Sequence, residues 1–384
     1  MENKNQIPLF KVFMSKNASS EVGKVLESGY IGQGQKVEDF EKNLSEFFDN
    51  SKLLTLNSGT SGLHLAIHLL KKPNSETNWP GLKYGDEVLT TALTCTASNW
   101  PILAHGLKIK WVDINPETLN IDLEDLENKI TKKTKLIMLV HWGGYPNDLD
   151  KIKEIQNRSV DNIGFSPQVI EDGAHSFGSK YKNKYIGNHG NFTMFSLQAI
   201  KHITSIDGGL LFCPNNTFYE RGKLIRWYGI DRDGDRKDFR CEEDILEWGY
   251  KFHMNDVCAT VGIENLKEFD KIIPIHRSNA DYYDNNIKND RVKLLKREDG
   301  FESSFWIYSL LVDDRSDFYK YMDSCGITVS QVHARNDQHT CVKEYISPLP
   351  NLDKTIGKVV SIPVGWWVTK KERQYIVDCI KKWK

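Results

Sequence analysis

Long apolar runs are missing from this chain. Nowhere do about 18 apolar residues follow one another, the length a helix needs to cross a bilayer. The opening MENKNQIPLFKVF is polar and lacks the apolar stretch and small-residue cleavage site of a secretory signal. These features lead us to expect a cytoplasmic protein. A charge of one sign is missing too: 51 Lys and Arg stand against 52 Asp and Glu, for a net charge of −1. That balance argues against a general footprint for nucleic acid or an anionic membrane, while small anionic ligands stay open because a local site needs no global charge. The 7 cysteines, Cys95, Cys213, Cys241, Cys258, Cys325, Cys341 and Cys379, are scattered, odd in number and free of any CxxC pair. A disulfide framework and a structural zinc site are therefore not expected. His64 and His68 share a helix face at i, i+4 spacing, but no adjacent Glu or third ligand accompanies them, so no metal is expected there either. Internal repeats and low-complexity tracts are also absent.

What remains is a soluble composition, 39% hydrophobic and 27% charged over 384 residues, enough for a large core and two lobes. The stretch SSEVGKVLESGYIGQGQKVEDFEKNLSEFF reads as helix, glycine-rich turn and helix, with Val37, Phe40, Leu44, Phe47 and Phe48 marking the second apolar stripe. KLLTLNSGTSGLHLAIHLLKK reads as a strand, a tight turn and a helix. GDEVLTTALTCTASNWPILAHG, KIKWVDI, KLIMLVHWGGYPNDLDKIKEI and PQVIEDGAHSFG continue the alternation. Strands alternating with helices predict an α/β domain with a mainly parallel sheet, whose ligand site lies beyond the carboxyl ends of the strands. The Ser-Gly-Thr turn, Asp172 and His141 all fall at such ends. After about Trp248 the pattern changes to one or two long helices, the strand candidates SFWIYSLLV and GITVSQVHA, and helices at RSDFYKYMDS and KKERQYIVDCIKKW. We therefore expect a large domain over residues 1–248 and a smaller α+β domain over 249–384, packed together without a long linker.

Three features carry chemistry. NSGTSG, Asn57 to Gly62, places backbone N–H groups and hydroxyls at a helix N-terminus, where the macrodipole favours a phosphate; by itself it reads more readily as a plain cap. It is followed by no Walker lysine, and the chain has no GxGxxG fingerprint. Asp172, with His175 close behind, ends an apolar strand, and Lys201 follows the apolar run from Phe192 to Ile200. A lysine removed from water needs a reason, because desolvation disfavours its charged form. Together, a phosphate turn, a carboxylate and a lysine are the parts that hold pyridoxal 5'-phosphate: the turn takes the phosphate, the carboxylate keeps the ring nitrogen protonated, and the lysine attaches the cofactor as a Schiff base.

With these residues in view, the chain resembles the DegT/StrS family of pyridoxal-phosphate-dependent nucleotide-sugar aminotransferases, which have the aspartate aminotransferase fold (fold type I). The likeness runs through SGYIGQGQKVEDFE, NSGTSGLHLAI, GDEVLTTALT, VDINPETLNID, VIEDGAHSFGS, FSLQAIKHITSIDGG and SIPVGWWVTKKE, in that order. It implies that Lys201 is the Schiff-base lysine and proton shuttle, and that Asp172 pairs with the pyridine nitrogen. It places His175 near the phenolic oxygen, where many relatives have glutamine. Ser196 and the backbone of Gly59, Thr60 and Ser61 then hold the phosphate. Two positions depart from the family pattern. Cys95 stands where relatives commonly stack an aromatic residue on the ring, with Trp100 further on. In GYKFHMND, Lys251 stands where relatives often have an asparagine that reaches the phosphate of the other subunit; a lysine there acts as a point charge. Asn255 is an alternative reader of that phosphate, though it does not align.

The resemblance implies transfer of an amino group from L-glutamate to a keto sugar, through a pyridoxamine 5'-phosphate form, in a homodimer with shared active sites. The alternatives are a sugar dehydratase of the same family, whose members replace the lysine with histidine, so that His202 next to Lys201 matters, and a sensor that has kept the fold without catalysis. HARNDQHT, carrying His333 and Arg335 after a strand candidate, reads either as an anion-binding substrate loop or as surface structure. RDGDRKDFR, Arg232 to Arg240, reads as a solvated loop or a cover for an active site.

Overall fold

The computed structural model describes residues 6–76, 78–234 and 244–384. Most of RDGDRKDFR, from residue 235 onward, and Cys241 lie outside the described residues. The chain begins with a helical hairpin, α1 (Ala18–Ser28) and α2 (Gln35–Phe48). The stripe expected on α2 is real: Val37, Phe40, Leu44 and Phe48 are all buried, and each such burial stabilises the fold by about 1.5–3 kcal/mol.

Then strands and helices alternate. In order they are β1 (Leu53–Leu56), α3 (Gly59–Leu69), β2 (Glu87–Thr91), α4 (Thr96–Ala104), β3 (Lys108–Val112), α5 (Leu123–Lys129), β4 (Thr134–Val140), α6 (Leu149–Ile163) and β5 (Gln168–Asp172). A short hairpin, β6 (Lys180–Tyr181) and β7 (Lys184–Tyr185), precedes β8 (Phe192–Ser196), β9 (Gly209–Phe212) and α7 (Asn216–Ile225). The principal sheet has seven strands in the order β1-β9-β8-β5-β4-β2-β3. Within it only β9 runs antiparallel to its neighbours. This is the mainly parallel α/β sheet expected from the alternation. Its strands are nearly all buried along their length, β1, β8 and β9 among them, as expected of a sheet covered on both faces.

The remaining elements are α8 (Asp256–Leu266), α9 (Phe269–Asn286), β10 (Val292–Leu294), β11 (Phe301–Glu302), β12 (Tyr308–Val312), α10 (Arg315–Ser324), α11 (Pro350–Thr355), β13 (Val359–Ile362) and α12 (Lys370–Lys382). Ala259 and Ile263 of α8 share a core with the α2 stripe. A separate core joins α9, α10 and α12 to the antiparallel sheet β10-β12-β13, and Ile7 near the start of the chain belongs to it. No helix among the described residues is long and apolar enough to cross a membrane.

Two strand expectations change. GITVSQVHA forms no strand; it makes only single bridges, Ile327 to Ile7 and Ser330 to Ser361. Its ladder stops because Ser330 Oγ accepts the Val332 N–H at 2.9 Å, and Val332, at φ 68°, turns the chain away. In SFWIYSLLV only the second half is strand. The first half is drawn off the sheet direction by Ser304, whose N–H donates to Ser179 Oγ at 3.0 Å and whose hydroxyl donates to the His175 carbonyl at 3.1 Å.

Candidate active site

The carboxyl ends of β1, β5 and β8 converge on a cavity of about 340 Å³. Gly59, Thr60, Cys95, Asp172, His175, Ser196, Lys201 and His333 all line it, so the structure brings together eight residues that span most of the sequence. Each arrives on its own element. Asp172 is the last residue of β5, Ser196 the last of β8, and Cys95 the N-cap of α4.

At one side lies the N-terminus of α3. Ser58 caps it, its Oγ accepting the Ser61 N–H at 3.1 Å. Ser61 is engaged within the turn, because its hydroxyl also donates to Asn57 Oδ1 at 2.6 Å. Ser61 therefore faces the cap, and Ser58 takes a place on the cavity wall beside Gly59 and Thr60. The first N–H groups of a helix have no acceptor within it, so those of Gly59 and Thr60 remain for an anion. Only glycine fits at two points of this cradle. A Cβ on Gly59 would lie 2.7 Å from Met194 Sδ and 3.2 Å from Ser196 Cβ. One on Gly209, the residue paired with Ser196 across β8 and β9, would lie 2.4 Å from the Ser58 carbonyl oxygen and 2.5 Å from the Gly59 nitrogen.

Asp172 is buried, and burial, its largest influence, pushes its pKa up. Hydrogen bonds from Ser98 and the Ala174 N–H and the charges of Lys201 and His141 pull it back. Ser98 Oγ donates to Asp172 Oδ2 at 2.6 Å and the Ala174 N–H donates to Oδ1 at 3.0 Å. Each carboxylate oxygen thus keeps a lone pair for a further donor.

Lys201 sits half-buried with its Nζ 3.6 Å from the centre of the Trp306 ring. Burial lowers its pKa to about 7, with Asp172 and Cys95 opposing the shift. A large share of the amine is therefore neutral and nucleophilic near pH 7. The neighbouring His202 turns elsewhere: its Nε2 bonds the Ser304 carbonyl at 3.0 Å and it is buried. Of the two, Lys201 is the side chain that reaches the cavity.

His175 forms the far wall in a stack of rings. It lies against Trp306 with centroids 3.9 Å apart and parallel to His333 at 5.4 Å. Its Nδ1 accepts the Gly143 N–H at 3.3 Å, which assigns the proton to Nε2, 3.4 Å from His333 Nε2. Burial holds both imidazoles well below their ordinary pKa, His333 at about 4, so both are neutral near pH 7.

The other residues singled out in the sequence lie outside the cavity wall. Arg335 is forked on Asp337 at 2.7 and 2.5 Å and reaches Asp353 at 2.5 Å. Lys251 is exposed, and its Nζ makes no ion pair with the described residues; its carbonyl accepts the Asn57 side-chain amide at 3.2 Å. Asn255 caps α8 through the Cys258 N–H. Trp100 packs edge-on to His339. His141 pairs with Glu171 at 2.9 Å, both fully buried, behind the Asp172 strand. His68 bonds Tyr250 and Glu247, and His64 lies 3.2 Å from His105.

Sequence reasoning missed Ser98 and Trp306. Ser98 lies in the quoted stretch TCTASNW, but nothing local marks it; its link to Asp172 spans 74 residues. Trp306 sits in what reads as a plain apolar strand.

A family model described as the DegT/DnrJ/EryC1/StrS aminotransferase family matches residues 13–381. Among solved structures, AtS13 from Actinomadura melliaura is 45% identical with a TM-score of 0.93, the match covering 99% of each chain. The sugar aminotransferase CalS13 from Micromonospora echinospora is 41% identical with a TM-score of 0.92, covering 98% of this chain and 99% of that one. GDP-perosamine synthase from Escherichia coli O157:H7 is 32% identical over 79% of this chain and 78% of its own.

Proposed function

Since the chain belongs to the DegT/DnrJ/EryC1/StrS aminotransferase family, we propose that it moves an amino group from L-glutamate to a keto sugar carried on a nucleotide, in the making of deoxyamino sugars. It is a pyridoxal-phosphate-dependent aminotransferase. The observation that carries the reading is a lysine amine held near neutrality in one cavity with a buried carboxylate and a glycine-tight helix N-terminus. When bound, pyridoxal phosphate supplies a carbonyl that captures amines and a protonated ring that accepts the electron pair released at the substrate α-carbon.

The chain's own residues divide the remaining work. Gly59 and Thr60 offer N–H groups, and Ser196 a hydroxyl, to the phosphate. Asp172 holds the proton on the ring nitrogen, for which its free lone pairs are suited. Lys201 would attach the cofactor through its amine and, once freed, would carry the proton taken from the substrate α-carbon. A pKa near 7 suits both taking and giving that proton. His175 and Cys95 bound the ring pocket, and His333, from the adjoining loop, faces the incoming sugar. We place Lys251 beside the phosphate of a second subunit. The exposed apolar side chains Leu246 and Trp248, near it in sequence, and Tyr228, whose backbone N–H donates to the Tyr250 carbonyl, support a surface covered in a homodimer. The acceptor is tested by following glutamate conversion to 2-oxoglutarate with a panel of nucleotide-linked, free and phosphorylated keto sugars. Turnover with only the free or phosphorylated members overturns the nucleotide-linked assignment.

A further inference from the structure

Asp172 is held by a directed chain of hydroxyls. Ser98 has one proton and gives it to Asp172 Oδ2 at 2.6 Å, so at its 2.7 Å contact with Thr94 Oγ1 it must accept. With Asp172 ionised and so able only to accept, the order Thr94 to Ser98 to Asp172 follows from proton counting. All three residues are buried, and no water is needed to complete the chain. Hydrogen bonds to an ionised carboxylate are stronger than neutral ones, more so away from water.

The chain is anchored from the opposite end of the sequence. Asn336 Nδ2 donates to the Thr94 carbonyl at 2.7 Å, and its Oδ1 accepts from Asn99 Nδ2 at 3.0 Å. Asn99 Oδ1 in turn accepts the Thr90 hydroxyl at 2.8 Å. The turn between β2 and α4 is thereby clasped to the loop that carries His333.

We propose that Ser98, aligned by Thr94, is a positioning residue that keeps Asp172 ionised and aimed at the cofactor's ring nitrogen. This rests on the role assigned to Asp172 above. The groups bearing on that carboxylate are Ser98, the Ala174 N–H, Lys201 and His141. About half of Lys201 is neutral near pH 7, and once it holds the cofactor its amine is no longer a free cation. The hydrogen bonds then carry more of the task of keeping the carboxylate charged against its burial.

The test uses holoenzyme loaded with pyridoxal phosphate labelled with ¹⁵N in the ring, whose chemical shift reports the ring proton directly. In Ser98→Ala the ring nitrogen should lose its proton at a pH lower by about one unit. Its kcat should fall about tenfold or more with KM for glutamate little changed, as expected for a lost hydrogen bond to a charged group. Ser98→Thr, which keeps the hydroxyl, should restore the shift and the rate. A Ser98→Ala enzyme with the wild-type shift and pH profile overturns the proposal. Should that variant fail to fold, Thr94→Val reads the same relay with Ser98 in place: a partial shift in the same direction supports it, and a wild-type shift overturns it. Asp172→Asn separates the two levels. If it leaves the ring nitrogen protonated, the assignment of Asp172 fails; if it moves the shift while Ser98→Ala does not, only the role of Ser98 fails.

Discussion

Trp306 holds the Lys201 segment in two ways: its ring lies 3.6 Å from Lys201 Nζ, and its indole N–H donates to the Ile200 carbonyl at 2.9 Å. The same ring stacks on His175 at 3.9 Å and on Phe10 at 5.0 Å. Removing it opens the lysine to water. In Trp306→Ala the Lys201 pKa should rise from about 7 towards its ordinary value, by about one unit or more. The pH at which the cofactor-free protein reacts with an amine-selective reagent at Lys201, read by mass spectrometry, should rise with it. Stability should fall by about 3–5 kcal/mol in denaturant titration.

Stability should also depend on pH through Lys201. An unfolded lysine titrates near 10.5, whereas the folded one titrates near 7. Between those values the unfolded chain binds more protons, so this group makes the cofactor-free protein more stable as pH rises through the window. Below it, the buried site must hold a cation. Lys201→Met should abolish transamination and remove this slope, about 1 kcal/mol per pH unit. Urea unfolding of the two cofactor-free proteins across the window measures the difference, and parallel curves would contradict it.

Gly209 sets how closely β9 approaches the phosphate turn. A methyl group there meets backbone atoms of Ser58 and Gly59 at 2.4 and 2.5 Å, which no side-chain movement relieves. Overpacking of this kind costs about 1–3 kcal/mol. Gly209→Ala should weaken cofactor binding about tenfold or more, measured by fluorescence titration of cofactor-free protein, while the circular dichroism spectrum stays that of the native fold.

Lys251 carries the prediction about assembly. Sedimentation should show a dimer, and Lys251→Ala should remain dimeric yet release pyridoxal phosphate faster on dialysis. A monomer with full activity, or unchanged cofactor retention in the variant, would show that the phosphate site is built within one chain or by different residues.

The fold and half of the site were legible because their signals are local. Lys201, Asp172 and the Ser-Gly-Thr turn each sit at the end of an apolar strand or run, where a polar residue has to be explained. Ser98 and Trp306 gave no such signal. Their roles come from contacts across 74 and 106 residues, through Asp172 and the Ile200 carbonyl, and nothing in TASNW or SSFWIY points to those partners. HARNDQHT was legible as a special loop but not in its division of labour. His333 faces the cavity, Asn336 clasps the turn that carries Thr94, and Arg335 braces the loop through Asp337 and Asp353. Arginine and histidine side by side suggest an anion site; which of them is already paired depends on acidic residues that the fold brings in.

In the proposed function Lys201 binds pyridoxal phosphate covalently and glutamate supplies the amino group. The most direct measurement is the visible absorption spectrum of the holoenzyme, taken alone, after L-glutamate, and after subsequent addition of a keto sugar. The expected result is a visible band that glutamate bleaches, that the acceptor restores, and that is missing from Lys201→Ala. A purified enzyme incubated with pyridoxal phosphate that shows no such band, or a band that glutamate leaves unchanged, would contradict it.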